Sequence, residues 1–146
     1  MSATLPWLLR AAHVLSASIW LAGYAAVLAV LIPLLKHHTS AALERTAITV
    51  ERASTYAGTA TLFFGLMLIG QTRGYGALGA GEWGLLVISC IGIAVATLGI
   101  GSAGLLPALR HLAATGDARR ARRWASVGMG LLALAYVLMT RTLYAA

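Results

Sequence analysis

Four long stretches of this sequence contain no Asp, Glu, Lys or Arg, and they limit the folds that the chain can adopt. They cover residues 11–35, 53–72, 83–109 and 124–140. Each is close to or longer than the roughly 20 apolar residues that cross the hydrocarbon core of a bilayer as a helix. Only 10% of the 146 residues are charged, which is too few for the surface of a soluble domain. The sequence predicts an all-α, polytopic membrane protein.

The segments between these stretches are short, so we expect a single domain over residues 1–146, an antiparallel bundle of four transmembrane helices. The expected helices cover roughly residues 6–35, 50–72, 83–110 and 124–144. The connector "KHHTSAALERTAITVER" should be partly helical, with Thr39 or Ser40 as the cap that starts a helix. The connector "RGYGALGAGE" contains four glycines and predicts a turn.

The basic residues are distributed unevenly between the two ends of the predicted bundle. Eight Lys and Arg residues lie in the connectors after the first and third stretches, against three at the other end, Arg10, Arg73 and Arg141. Because Lys and Arg are retained in cytoplasmic loops, we expect loops 36–52 and 110–123 to be cytoplasmic and both termini periplasmic, in a bacterial inner (cytoplasmic) membrane. This placement accounts for the net charge of +7 through anionic lipid. The bilayer, and no nucleic acid, is therefore the expected partner.

The segment "GIGSAG", residues 99–104, matches the dinucleotide-binding fingerprint letter for letter. That motif functions only between a strand and a helix, and here it lies within a predicted transmembrane helix. Small residues in such a helix let a neighbouring helix approach closely. We therefore expect packing contacts at Gly92, Ala96, Gly101 and Gly104, and no nucleotide site.

The segment "LLRAAHVLSASIWLAG" places a histidine, His13, inside the first apolar stretch. His13 follows Trp7, an interface residue type, by six positions, or about 9 Å of helix. Ionisable side chains at that depth usually face the bundle interior and mark cofactor or proton sites. A neutral imidazole is a good axial ligand for haem iron. The alternative is a histidine that is only hydrogen-bonded to a serine, a threonine or a carbonyl group.

A haem at His13 would need room and a second ligand. Trp20 and several small residues share the helical face of His13 at three- and four-residue steps. None of the other membrane stretches contains a histidine. The second ligand would therefore be Met67, Met139, a residue of another chain or none.

Arginines near the same end are candidate contacts for haem propionates, because guanidinium groups bind carboxylates through two hydrogen bonds. We expect Arg10 and Arg141 in this role. Arg52 enters the second helix from the other end, where it snorkels to the interface or, alternatively, contacts an anion or a propionate.

The first helix resembles that of small bacterial membrane proteins related to the CopD copper-resistance domain and to HemJ-type protoporphyrinogen oxidases. The matching residues are His13, Trp20, Ala22 and Gly23, followed in the second helix by Glu51, Arg52, Tyr56, Gly58 and Gly65. The resemblance implies a four-helix membrane protein associated with haem b, with the first-helix histidine as an axial ligand. The lysine that HemJ-type proteins carry between that tyrosine and glycine is replaced by Ala57, so protoporphyrinogen oxidation is not expected.

The sequence therefore favours a cytochrome b-like protein that binds haem b through His13 and serves electron transfer or haem handling, as a homodimer or beside a partner membrane subunit. One alternative is copper handling or transport in a CopD-like manner by His13 with Met67 or Met139, since imidazole and thioether suit Cu(I). Another is a non-catalytic accessory subunit of a larger membrane complex. No catalytic residues are expected, because the membrane stretches contain neither paired carboxylates nor a nucleophile beside a base.

Overall fold

A computed structural model describes residues 4–38 and 40–145. These ranges form four helices that are long and apolar enough to cross a membrane, and they contain no β-strand. The helices are α1 (Thr4–His37), α2 (Ala41–Gln71), α3 (Gly81–Thr115) and α4 (Arg119–Thr142). This architecture confirms the all-α prediction and the number of long apolar helices.

All four helices extend beyond the uncharged stretches. The helix α2 begins at Ala41 rather than near residue 50, and the Ser40 hydroxyl caps it by accepting a hydrogen bond from the Leu43 backbone N–H at 3.2 Å. Thr39, the other expected cap, lies outside the described residues. The helix α3 ends at Thr115, and α4 begins at Arg119. Charged residues end the membrane-spanning part of a helix without ending the helix itself, because Arg and Glu are good helix formers.

Gly116 ends α3 in the left-handed conformation, with φ +75°, as is common at helix C-termini. The chain then turns directly into α4. Asp117 accepts hydrogen bonds from the Arg119 backbone N–H at 3.0 Å and from the Arg119 guanidinium at 3.2 Å. These bonds, the backbone one first, hold the pKa of the Asp117 carboxyl below its usual value.

Two of the helices contain a π-helical segment. In α1 it covers Val27–Leu31, and in α3 it covers Ile100–Leu105. A proline, Pro33 or Pro107, follows each segment at the second position of the next α-helical stretch. Proline lacks an N–H and crowds the carbonyl group four residues earlier, and widening the preceding turn relieves this conflict within a continuous helix.

The four small residues of α3 that were expected to make packing contacts divide between packed and open positions. A Cβ at Gly104 would lie 2.8 Å from the Trp124 ring, and one at Gly101 would lie 2.6 Å from Glu51 Oε1. Gly92 has nothing within 4 Å of such a Cβ, and Ala96 is exposed, so the expected packing at these two positions is wrong. Of the four residues, only Gly101 and Gly104, in the π-helical segment, lie in close contact with a neighbouring helix.

The buried core lies mainly at the end of the bundle where α1 ends and α2 begins. Its members come from all four helices and are Trp20, Tyr24, Val27, Leu31, Ile32, Leu35, Ala47, Leu105, Ala108, Leu109, Leu112, Ala121, Ala125 and Leu132. Contacts between α1 and α2 pair His13 with Gly65, Ser16 with Thr61, Trp20 with Gly58 and Gly23 with Ser54. The opposite end of the bundle is less tightly filled.

The outer surface of the bundle is rich in large apolar side chains. Leu15 is 64% exposed, Leu85 67% and Val137 64%, each on a different helix. A surface of this kind is costly in water and favourable in hydrocarbon.

Candidate functional site

A cavity of about 560 Å³ lies among all four helices, at the end of the bundle where α1 begins and α2 ends. Its lining is mostly apolar, with Leu62, Val87 and Ile91 among the contributing side chains. Its volume falls within the range of about 300–1,000 Å³ that is typical of ligand and cofactor sites. His13 lines this cavity.

The hydrogen bond of His13 determines which ring nitrogen is available to a ligand. His13 Nδ1 lies 2.9 Å from the Thr61 carbonyl oxygen. A carbonyl group only accepts, so Nδ1 carries the proton and donates it. The other nitrogen, Nε2, then has a free lone pair and no hydrogen-bond partner within the described ranges. This arrangement is typical of histidines that bind metals, whose second nitrogen donates to a carbonyl or a carboxylate.

Two further contacts fix the position of the imidazole. Gly65 lies one turn after Thr61, and a Cβ there would lie 3.0 Å from His13 Cε1 and 3.2 Å from Nδ1. The Thr61 hydroxyl lies 3.0 Å from Ser16 Oγ and donates to the Ala57 carbonyl at 2.8 Å. The α1–α2 interface therefore holds the ring in place through both a hydrogen bond and close packing.

Trp20 lies two turns beyond His13 on α1 and is 3% exposed. Its indole packs against Gly58, where a Cβ would lie 2.5 Å from Cε2. Trp20 also lines the cavity, so it forms the boundary between the cavity and the packed core. The structure thus brings Trp20 and His13 to the same site.

Two arginines line the cavity near its end, Arg10 on α1 and Arg73 just after α2. The Arg73 guanidinium donates to the Ala145 carbonyl at 3.0 Å and lies 5.2 Å from the centre of the Trp83 ring, within the distance for a cation–π contact. Both arginines are exposed. They provide two positive groups at the cavity end, where carboxylates of a bound molecule would be neutralised.

The other two candidate arginines do not line the cavity. Arg141 pairs with Glu82 through two hydrogen bonds, Nε to Oε1 at 2.8 Å and Nη2 to Oε2 at 3.2 Å. Arg52 is exposed near the opposite end of the bundle. Arg10 and Arg73 are thus the pair that the structure brings together with His13.

Only one of the two candidate methionine ligands lines the cavity. Met139 of α4 lines the cavity with His13, whereas Met67 of α2 does not and is 39% exposed on the outer surface. Within one chain, Met139 is therefore the methionine that shares a cavity with His13.

Sequence reasoning missed Thr61 and Arg73 as site residues and used Gly65 only in the resemblance. Their signals are present in the sequence, since Gly65 follows Thr61 by one helical turn and Arg73 directly follows the second apolar stretch. What the sequence lacks is the pairing of α1 with α2, which decides which residues face His13.

Together these groups form an apolar cavity with one free imidazole nitrogen, one thioether and two guanidinium groups. These groups can bind a metal ion through nitrogen or sulfur and an anion through the guanidinium groups. Comparison with family models, with curated proteins and with solved structures found no match to this chain. The resemblance to the CopD and HemJ families therefore stays a prediction.

Proposed function

We propose that this protein is an integral membrane protein of the bacterial inner membrane that binds haem b through His13 and serves electron transfer or haem handling. The observation that carries the proposal is the hydrogen bond from His13 Nδ1 to the Thr61 carbonyl. It leaves Nε2 of a cavity-lining histidine free to bind iron.

Membrane insertion is supported by the length and hydropathy of the four helices and by the apolar residues on their outer surfaces. An antiparallel arrangement is supported by the order of contacts, because residue numbers rise along α1 while those of their partners fall along α2. The distribution of Lys and Arg supports periplasmic termini. Reporter fusions to the two ends test this orientation, and active cytoplasmic reporters there would contradict it.

The described residues fit a haem. His13 supplies a nitrogen ligand, Met139 is available as a second ligand, and Arg10 and Arg73 would contact the propionates. The apolar lining would exclude water from the macrocycle. A bound haem would supply a one-electron redox centre, and its axial ligands and surroundings would set its potential.

The test is a reduced-minus-oxidised absorption spectrum of detergent-purified protein made under haem-replete conditions. We expect Soret and α bands in the parent protein and their loss in His13→Ala. The matched control is His111→Ala, since His111 is exposed at the end of α3 and this substitution should retain the bands. A parent protein without these bands would reject the haem proposal.

The second candidate is copper binding by His13 and Met139, which is favoured by their common position on the cavity. Imidazole and thioether ligands suit Cu(I). Metal analysis of the same preparation separates the two candidates. Stoichiometric copper that is lost in Met139→Leu, together with an absent Soret band, would favour copper over haem.

A further inference from the structure

Glu51 is a carboxyl group buried inside the bundle, far from the cavity that contains His13. It lies on α2 and is 1% exposed. It precedes Thr61, whose carbonyl group binds His13, by ten positions. This spacing corresponds to about 15 Å of helix. Any role of Glu51 is therefore independent of a ligand at His13.

The two oxygens of this carboxyl group have different surroundings. Oε1 accepts a hydrogen bond from the Thr55 hydroxyl at 3.5 Å. Oε2 has no partner, and among the described residues it is the one buried side-chain nitrogen or oxygen atom without a hydrogen bond. Most buried polar atoms are satisfied, and an exception calls for a chemical explanation.

Glu51 belongs to a cluster of oxygen atoms around Gly101. A Cβ at Gly101 would lie 2.6 Å from Glu51 Oε1, 3.2 Å from Tyr24 Oη and 3.4 Å from Thr55 Oγ1. The Tyr24 hydroxyl in turn donates to the Thr97 carbonyl at 3.2 Å. Three elements therefore converge here, and a side chain at position 101 would have to displace the Glu51 carboxyl group.

No positive group compensates Glu51 among the described residues. The ion pairs in those ranges are Arg119–Asp117 and Arg141–Glu82, which lie at the ends of helices. The titratable side chain that faces Glu51 from α1 is that of Tyr24. From α3 the neighbours of this cluster are Thr97 and Gly101, and from α4 Gly128 packs against the Tyr24 ring. None of these three residues is titratable. A buried carboxylate without a cation is strongly disfavoured, whereas a neutral carboxylic acid is tolerated.

The backbone beside this cluster departs from a regular α-helix in both α1 and α3. Gly101 lies in the π-helical segment of α3, and the π-helical segment of α1 begins three residues after Tyr24. Single π-helical turns are frequent at functional sites. Both segments therefore adjoin the one unsatisfied acid in the packed half of the bundle.

We propose that Glu51 is a proton-binding site inside the bundle, holding a proton as the neutral acid and exchanging it with water beside the two π-helical segments. The carboxylate takes up one proton from water, and the acid returns it to water. The charge of the packed half changes by one unit when the proton is released and returns when a proton is taken up.

Infrared spectroscopy of the purified full-length protein in vesicles tests this proposal. At neutral pH we expect the carbonyl stretch of a protonated carboxylic acid, which shifts when H₂O is replaced by D₂O. This band should be lost in Glu51→Gln and retained in Glu44→Gln, a matched variant near the start of the same helix. In Glu51→Asp the band should move in frequency rather than disappear, which provides a second variant if the glutamine protein folds poorly.

Four results would overturn the proposal. One is the absence of a protonated-acid band at neutral pH in the parent protein, and another is a band that Glu51→Gln leaves in place. A band that never shifts in D₂O would show a trapped proton without exchange. A carboxylate band that depends on added Na⁺ would assign the cluster to a cation, and this also contradicts proton binding.

Discussion

The imidazole of His13 lies against Gly65, so closely that a methyl group at residue 65 would have to displace the ring. A Cβ there would lie 3.0 Å from His13 Cε1 and 3.2 Å from Nδ1. The glycine therefore allows α2 to hold the ring with the Thr61 carbonyl while Nε2 stays free. The position of the proposed iron ligand depends on a residue that has no functional group of its own.

The substitution Gly65→Ala should displace the His13 ring and weaken haem binding. Overpacking a close contact costs about 1–3 kcal/mol, and a loss of about 1.4 kcal/mol corresponds to roughly tenfold weaker binding. Haem titration of the apoprotein measures this change. The control is Gly92→Ala, where nothing lies within 4 Å of the added methyl group. Equal affinity in the Gly65→Ala and parent proteins would contradict this role of Gly65.

The arginine that neutralises the haem propionates should be Arg73 rather than Arg141. Hydrogen bonds to charged groups contribute about 1.5–3 kcal/mol, so Arg73→Gln should weaken haem binding by roughly tenfold or more. Arg141 is already paired with Glu82 outside the cavity. Exposed ion pairs contribute about 0–1 kcal/mol, and this one does not face the haem, so Arg141→Gln should change haem affinity by less than about twofold. The same titration compares both variants. A larger loss in Arg141→Gln would reverse the assignment.

The methionine substitutions separate a ligand inside the cavity from a residue on the outer surface. In Met139→Leu we expect a change in the Soret maximum and in the spin state of the ferric protein, because a thioether ligand is lost. In Met67→Leu both should match the parent protein. Leu and Met have similar volumes, so each substitution costs less than about 1.5 kcal/mol of stability. Identical spectra for both variants would leave His13 as the sole ligand from this chain.

The fit of Tyr24 against α4 predicts a sensitive position at Gly128. A Cβ at Gly128 would collide with the Tyr24 ring, and Tyr24 is fully buried. We expect Gly128→Ala to destabilise the protein by about 1–3 kcal/mol, measured as a lower midpoint of thermal unfolding in detergent. Two residues later, Gly130 has nothing within 4 Å of an added methyl group, so Gly130→Ala should unfold like the parent protein. Equal midpoints for the two variants would contradict the described packing.

The sequence was sufficient to predict four apolar helices because uncharged apolar stretches close to or longer than a membrane span have few other solutions. It was less informative about the helix ends. Ser40, one of the two expected caps, does begin a helix. Hydropathy did not indicate that this helix continues without a break through the charged turns up to Arg52 into the second apolar stretch. Pro33 and Pro107 were signals of irregular helix that hydropathy does not register.

The sequence predicted how far along each helix the site residues lie, but not which side of the helix faces the cavity. Met67 and Met139 lie at similar depths relative to His13, yet only Met139 lines the cavity. Successive residues turn by about 100° around a helix, so the rotation of each helix decides which of them faces the cavity. Glu51 illustrates the same limit, since its neighbour Arg52 is exposed while Glu51 is almost completely buried.

The two π-helical segments give α1 and α3 one residue more than a regular helix needs for the same rotation. A π-helical turn takes up one more residue than an α-helical turn, so deleting one residue from Val27–Leu31 would leave an ordinary α-helical turn. Ile32 and Leu35, which are fully buried, would then still face the core. A deletion elsewhere in α1 would rotate the residues after it by about 100°, so related chains that are one residue shorter in this helix should lack that residue inside the π-helical segment.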